Sequence, residues 1–269
     1  MRALAEFVMR GRMQAVAVSC LSAGTVFFYW LGAAAVALVA LRKGLAEGAV
    51  VLLWSLIPAL VILYYGNSFF PLTVLLGTFA CAAVLRLTVV WSLALVSASV
   101  AGLVAGLVLA GMEASFIEAF QQTVNSFIGQ WQSQMAEQGN AVELPRFTVA
   151  AATGFVALSA AMLMVLCLVL ARYWQAALYN PGGFREEFHA LRLPPKVALP
   201  LAVVVVACYS QGLSGAPWAY LAGLPLIMAG ISLAHSWVAA KKMNSAWLGL
   251  FYFMLIFVGP TAEITMLAG

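Results

Sequence analysis

Six long stretches of this chain carry no Asp, Glu, Lys or Arg, at 14–41, 48–85, 87–112, 147–171, 197–240 and 243–262. A helix crosses the hydrocarbon of a bilayer with about 20 apolar residues. Lipid leaves backbone polar groups no external partner, so repeated runs of this length fold as helices that satisfy their own hydrogen bonds. Composition agrees, with 65% hydrophobic and 8% charged residues. A soluble domain holds about 45–50% apolar and 25% charged residues. The chain therefore reads as all-α, a polytopic transmembrane helix bundle, with 1–269 a single transmembrane domain.

Two of the runs are long enough to cross twice. The 48–85 run breaks at Gly66-Asn67-Ser68 ahead of Pro71, and the 197–240 run breaks at Gly212-Leu213-Ser214-Gly215 ahead of Pro217. Both breaks are turn chemistry. Seven spans follow Arg42, at about 48–65, 69–85, 87–111, 147–171, 197–212, 217–239 and 244–266.

The 14–41 run decides the topology. Arg2, Arg10 and Arg12 ahead of it imitate a secretory signal, but the run is too long for a signal core. Ala17-Val18-Ser19-Cys20 is a poor lipoprotein cleavage box, so the segment is expected to be retained. If it turns back near Gly24-Thr25 as a short N-terminal helical hairpin, 12 of the 13 Lys and Arg fall on one side and Arg146 alone on the other. A single crossing leaves at best nine against four. Basic loops stay cytoplasmic, so the hairpin is preferred, with the N-terminus in the cytoplasm and the protein multi-pass in a bacterial inner membrane. Whether the hairpin spans twice or is re-entrant stays open; irregular backbone at that depth is tolerated where protein buries it or a cavity is lined.

Two segments lie outside the spans. Residues 112–146 read as an extracytoplasmic amphipathic helix. Phe116, Ile117, Phe120, Val124, Phe127, Ile128, Trp131 and Met135 recur at helical spacing between glutamines. It either rests on the membrane face or bundle, or acts as a lid or docking helix. Residues 172–196 read as a cytoplasmic loop with a turn at Asn180-Pro181-Gly182-Gly183 and a short amphipathic helix over Phe184–Leu193. Phe184, Phe188 and Leu191 share its apolar face, and Arg185, Glu186 and Glu187 lie largely off it.

Enzyme chemistry finds little support, and no cofactor or metal is expected. All nine acids are Glu, and Cys20, Cys81, Cys167 and Cys208 sit inside apolar runs as small core residues. Ser214 and His235 imitate the elements of a rhomboid protease, but 21 residues along one helix separate them by about 31 Å. His189 falls in the cytoplasmic loop, so the two histidines are not expected to form a metal pair. Arg86, at an inner turn, reads as a topology anchor.

The polar groups that remain suggest binding. Asn67, Tyr209, Gln211, Trp218, Tyr220 and Glu263 all fall near the outer surface, with Glu263 three residues after Pro260. They form either an outward-opening ligand site, with Asn67, Tyr209, Gln211, Trp218 and Glu263 as its residues, or an aromatic belt with a solvated acid. Ala15, Ser19 and Ala23, small residues four apart, mark close helix contact. So do Gly102 and Gly106. Such contact is either internal or with a partner.

The basic start Met9-Arg10-Gly11-Arg12, the hairpin closing at Leu41-Arg42-Lys43-Gly44, and the loop from Arg172-Tyr173-Trp174-Gln175 to Arg192-Leu193-Pro194-Pro195 resemble the YybS-like family of bacterial inner-membrane proteins. The resemblance covers nearly the whole chain. That family is similar to the substrate-binding S components of energy-coupling-factor transporters, which have fewer helices than counted here and lack the 112–146 segment. The resemblance implies a protein that binds a small molecule from the outer face and relies on a partner for energy. Its partner surface would comprise Ala15, Ser19 and Ala23 with Arg172, Trp174, Arg185, Phe188 and Arg192. The expected partners are the lipid bilayer, a membrane protein and a small-molecule ligand, not nucleic acid. The alternative is a structural or assembly subunit of an inner-membrane complex that uses the same surfaces and binds no ligand.

Overall fold

The computed structural model describes residues 2–25, 27–66, 68–138 and 143–269, and its regular structure is helical throughout these residues. In chain order the α-helices are α1 (Arg2–Arg10), α2 (Arg12–Ala23), α3 (Tyr29–Lys43), α4 (Leu45–Gly66), α5 (Phe70–Thr88), α6 (Trp91–Met112), α7 (Ala114–Glu137), α8 (Val149–Tyr179), α9 (Gly183–His189), α10 (Pro195–Tyr209), α11 (Ala216–Ala240), α12 (Ala246–Phe257) and α13 (Pro260–Ala268).

Five of these, α4, α5, α6, α8 and α11, are long and apolar enough to cross a membrane. A sixth is added if the bent pair α12 and α13 is one broken span, so the seven spans expected from sequence are matched in part. The 197–212 span is the 15-residue α10, which rises only about 22 Å against a hydrocarbon core of about 30 Å. The 244–266 span is two short helices, α12 and α13, meeting at a 117° bend. Val258 is extended there and Pro260 opens α13; the proline has no N–H with which to continue the preceding helix.

The first apolar run folds as α2 and α3 joined by a turn that includes Gly24 and Thr25, and these two helices lie along one another. α3 is the axis of the bundle. Every residue from Gly32 to Leu41 is buried, enclosed by α2, α4, α5 and α8. Its small residues make this enclosure feasible, because glycine and alanine let backbones approach closely. A Cβ added at Gly32 would stand 2.9 Å from the Ser19 carbonyl oxygen, and one at Gly48 of α4 only 2.6 Å from the Ala40 Cβ. The α6–α8 contact is built the same way, with Gly102 and Gly106 facing Ala161 and Ala157.

α10, α11 and α13 form a smaller cluster around Val205, Ala219, Leu226 and Met266. α12 buries none of its residues.

Arg12, Arg42, Arg86, Arg172 and Arg192 gather at one end of the bundle. There Arg86 donates to the Ala40 and Leu41 carbonyls at the end of α3 (3.2 and 2.5 Å). Arg12 pairs with Glu47 (2.5 Å) and Arg42 lies 3.9 Å over the Tyr179 ring. The carbonyls of a final helical turn have no intrahelical partner, so Arg86 both satisfies them and complements the helix dipole. At the opposite end Glu113, almost fully buried, accepts the Phe69 N–H at 2.7 Å.

α7 is the amphipathic helix expected of 112–146. Ile117 is its one buried residue among those described, and its aromatic stripe is divided. Phe120 packs on Phe147 and Phe155, whereas Phe116, Phe127 and Trp131 are exposed. Asn125 holds it to the returning chain, donating to the Phe147 carbonyl and accepting the Phe147 N–H, both at 2.8 Å.

Candidate functional site

The four ligand candidates among the described residues do not line one cavity. Tyr209 ends α10, Tyr220 lies in the second turn of α11, and Glu263 lies in the first turn of α13. Their helices pack together, and the 117° bend is what returns Glu263 to α11. The Tyr220 hydroxyl donates to Glu263 Oε1, and the Tyr209 ring meets Tyr220 edge-on with centroids 6.2 Å apart. The Tyr209 hydroxyl and Glu263 Oε2 are buried without a hydrogen-bond partner among the described residues. Tyr209 nonetheless interacts with both Tyr220 and Glu263, so the three groups form one polar cluster. Buried polar atoms cost stability unless something satisfies them.

Gln211 and Trp218 stand elsewhere. Together with Ala150, Val203, Cys208 and Ser214 they line an apolar groove of about 460 Å³. The Trp218 indole donates to the Ala150 carbonyl at 3.0 Å, and its ring lies on Gly154, where a Cβ would come within 2.8 Å. Asn67 lies outside the described residues. The single outer site drawn from sequence is therefore corrected to a Tyr209–Tyr220–Glu263 cluster and a separate Gln211–Trp218 groove. Ser214 hydrogen-bonds Thr148 at 2.9 Å, and His235 hydrogen-bonds Tyr252 at 2.8 Å.

The partner surface is corrected more heavily. Ala15, Ser19 and Ala23 are fully buried, facing the neighbouring helices α3 and α4, so their spacing serves internal packing. The free face of α2 carries Met13 and Leu21 instead. Residues 172–179 continue α8 rather than opening a loop, because Trp174 and Ala176 bury against the bundle. Trp174 is fully buried and cannot be an exposed docking residue.

The rest of 172–196 folds back onto the basic end. α9 is shorter than expected, and Glu187 turns inward rather than away. Arg172 grips it through two hydrogen bonds, at 2.9 and 2.5 Å, and also reaches Gln175 at 2.5 Å. Phe188 is half-buried, stacked on Phe184 and edge-on to His235. Arg185 and Arg192 are exposed, so of the five residues named in this segment these two keep free charged surface.

The same folding brings His189 beside His235, with ring centroids 6.4 Å apart. The two rings are neighbours because α9 packs against α11. Burial pushes the His189 imidazole below its ordinary value, and nearby Arg185 pushes the same way. No cluster of three or more metal-ligating side chains occurs among the described residues.

Sequence reasoning gave Arg86 no partner and passed over Trp91 and Glu113. Arg86, Trp91, Arg172, Glu187 and Arg192 line a cavity of about 590 Å³ at the basic end. Only the shared basic character of these segments signalled it, since the cavity depends on contacts between distant residues, 45 positions apart for Arg86 and Leu41 and 96 for Trp91 and Glu187. Comparisons with known protein families, with curated proteins and with solved structures find no match for this chain.

Proposed function

We propose that the protein is a non-enzymatic, multi-pass inner-membrane protein of S-component type, which binds a small polar molecule between α10, α11 and α13 and depends on a partner chain for energy. One observation carries this reading: Tyr209, Tyr220 and Glu263 gather their polar atoms into one cluster, with the Tyr209 hydroxyl and Glu263 Oε2 shielded from solvent. Ionisable groups inside membrane domains are costly and are associated with function. Broken helices in transporters bring such groups to ligand sites, as the α12–α13 bend brings Glu263 to α11. With the basic end in the cytoplasm, as the distribution of Lys and Arg favours, this cluster faces outward. An acceptor oxygen beside a donor hydroxyl suits a ligand with both an amine or hydroxyl and an acceptor group.

The test is thermal stabilisation of the purified chain by fractions of a soluble small-molecule extract. A fraction that stabilises the wild type at least tenfold more effectively than Glu263→Gln or Tyr209→Phe supports the reading. Equal stabilisation of all three, or of none, overturns it.

A second reading, an assembly subunit without a ligand, draws on α12, whose aromatic surface has no residue buried within the chain. Recovery of a stoichiometric protein partner with no bound small molecule favours it.

A further inference from the structure

The basic-end cavity has the chemistry of an anion site. Arg86, Arg172 and Arg192 line it with a single acid, Glu187, which leaves a net charge of +2 (three minus one). Glu187 is already taken, since Arg172 grips it with two hydrogen bonds and the Trp91 indole lies 3.5 Å away. The hydrogen-bond partners of Arg86 and Arg192 are backbone carbonyls: Ala40 and Leu41 for the first, His189 and Leu191 for the second. Carbonyls orient a guanidinium without neutralising it. Both arginines are exposed enough to turn their remaining N–H groups toward a ligand. Guanidinium forks match phosphate oxygens in geometry as well as charge.

The rim identifies the source of the phosphate. Arg86 lies in the last turn of α5, and beside it Leu87, still in the helix, is 73% and Val89, at its C-cap, 77% exposed. Val89 holds a left-handed backbone at φ 57°, a conformation that a β-branched residue adopts at a cost. Leu41, Leu85, Val90 and Leu191 continue the apolar wall inside the cavity. A soluble phosphate ester has no use for an exposed apolar rim of this kind. A phospholipid does, because its acyl chains lie against the rim while its headgroup enters the basic cavity. Basic pockets between helices at the cytoplasmic surface take lipid headgroups in this way.

We propose that this cavity binds the phosphate headgroup of an anionic phospholipid, held by Arg86 and Arg192, with Arg172–Glu187 as its fixed wall. The proposal is independent of any ligand at Glu263.

The experiment uses the purified full chain, stripped of lipid and offered phosphatidylglycerol or phosphatidylcholine in detergent, with bound lipid counted by native mass spectrometry. The wild type is expected to retain phosphatidylglycerol in preference to phosphatidylcholine. Arg192→Gln should weaken that retention about fivefold, the worth of one basic residue near an anionic surface, while Arg192→Lys keeps most of it. Arg86→Gln should weaken it comparably but also uncaps α3, so Arg192 carries the test. Glu187→Gln should strengthen retention, an effect that misfolding would not produce, and Glu263→Gln should leave it unchanged. Equal retention of both lipids, or indifference to Arg192→Gln, overturns the proposal. So does displacement of phosphatidylglycerol by millimolar inorganic phosphate, which would mark a site for soluble anions.

Discussion

α3 and α12 show that the more hydrophobic helix of this protein is the less buried one. α3 (YWLGAAAVALVALRK) buries ten consecutive residues, whereas α12 (AWLGLFYFMLIF) buries none. In water that order would be perverse. In lipid, moving a leucine or phenylalanine from acyl chains into protein gains little, and helices associate through close packing and polar contacts. Glycine and alanine on α3 permit that approach, while the aromatic rings of α12 hold neighbours away. The centre of the bundle is therefore built from its smallest residues. The bulky apolar surface faces outward, where lipid or another chain can cover it.

A matched pair of glycines probes this difference most strongly. Gly48→Leu must displace α3 from α4, because the added Cβ alone would stand 2.6 Å from the Ala40 Cβ. Overpacking of this kind should cost about 3 kcal/mol, read as a lowered unfolding midpoint in detergent. Gly249 on α12 has open space around its position, so Gly249→Leu should change stability by less than about 0.5 kcal/mol. Similar losses in the two variants would mean that α12 is packed as tightly as α3.

The ends of the bundle give a smaller effect. Arg172→Gln removes the partner of Glu187, whose side chain is 33% exposed against 25% for the arginine. The loss should be about 1–2 kcal/mol, concentrated in the docking of α9. Hydrogen exchange of residues 183–191 should rise while exchange in α3 stays slow. Uniform loosening of the whole chain would show that α9 is part of the core.

The pH response is smaller again. His189 is held below its ordinary pKa by burial and by Arg185, so the unfolded chain takes up its proton first. Its contribution to stability is therefore complete above the ordinary imidazole range and is lost as pH falls through that range toward the folded value. The thermal midpoint should drop modestly between pH 7.5 and 5.5, and His189→Gln should reduce that drop. An unchanged slope would mean that the response arises elsewhere.

Much of the helical layout was legible because it depends on local sequence. The break at Gly66 ends α4, the Gly212–Gly215 turn separates α10 from α11, and the first run turns near Gly24-Thr25. What was misread depends on neighbours that spacing does not name. Ala15, Ser19 and Ala23 announced a close helix contact but not that the chain itself supplies it. Trp174 and Arg172 resembled loop residues because the apolar run ends at Ala171, although the helix continues for two more turns. Residues 244–266 were long enough for a span, and only the local geometry of Val258-Gly259-Pro260 turns them through 117°. Glu263 was singled out by its position after Pro260. Its contact with Tyr220 required the structure, because 43 residues separate them.

The central claim is that the Tyr209–Tyr220–Glu263 cluster holds a small molecule. Native mass spectrometry of the chain released gently from its own membrane, with small molecules and accompanying chains both identified, tests it most directly. The account predicts a stoichiometric small polar molecule that is absent from the Glu263→Gln protein while bound anionic lipid remains. A wild-type protein that carries a partner chain and lipid but no such molecule would contradict it and leave the assembly subunit as the better description.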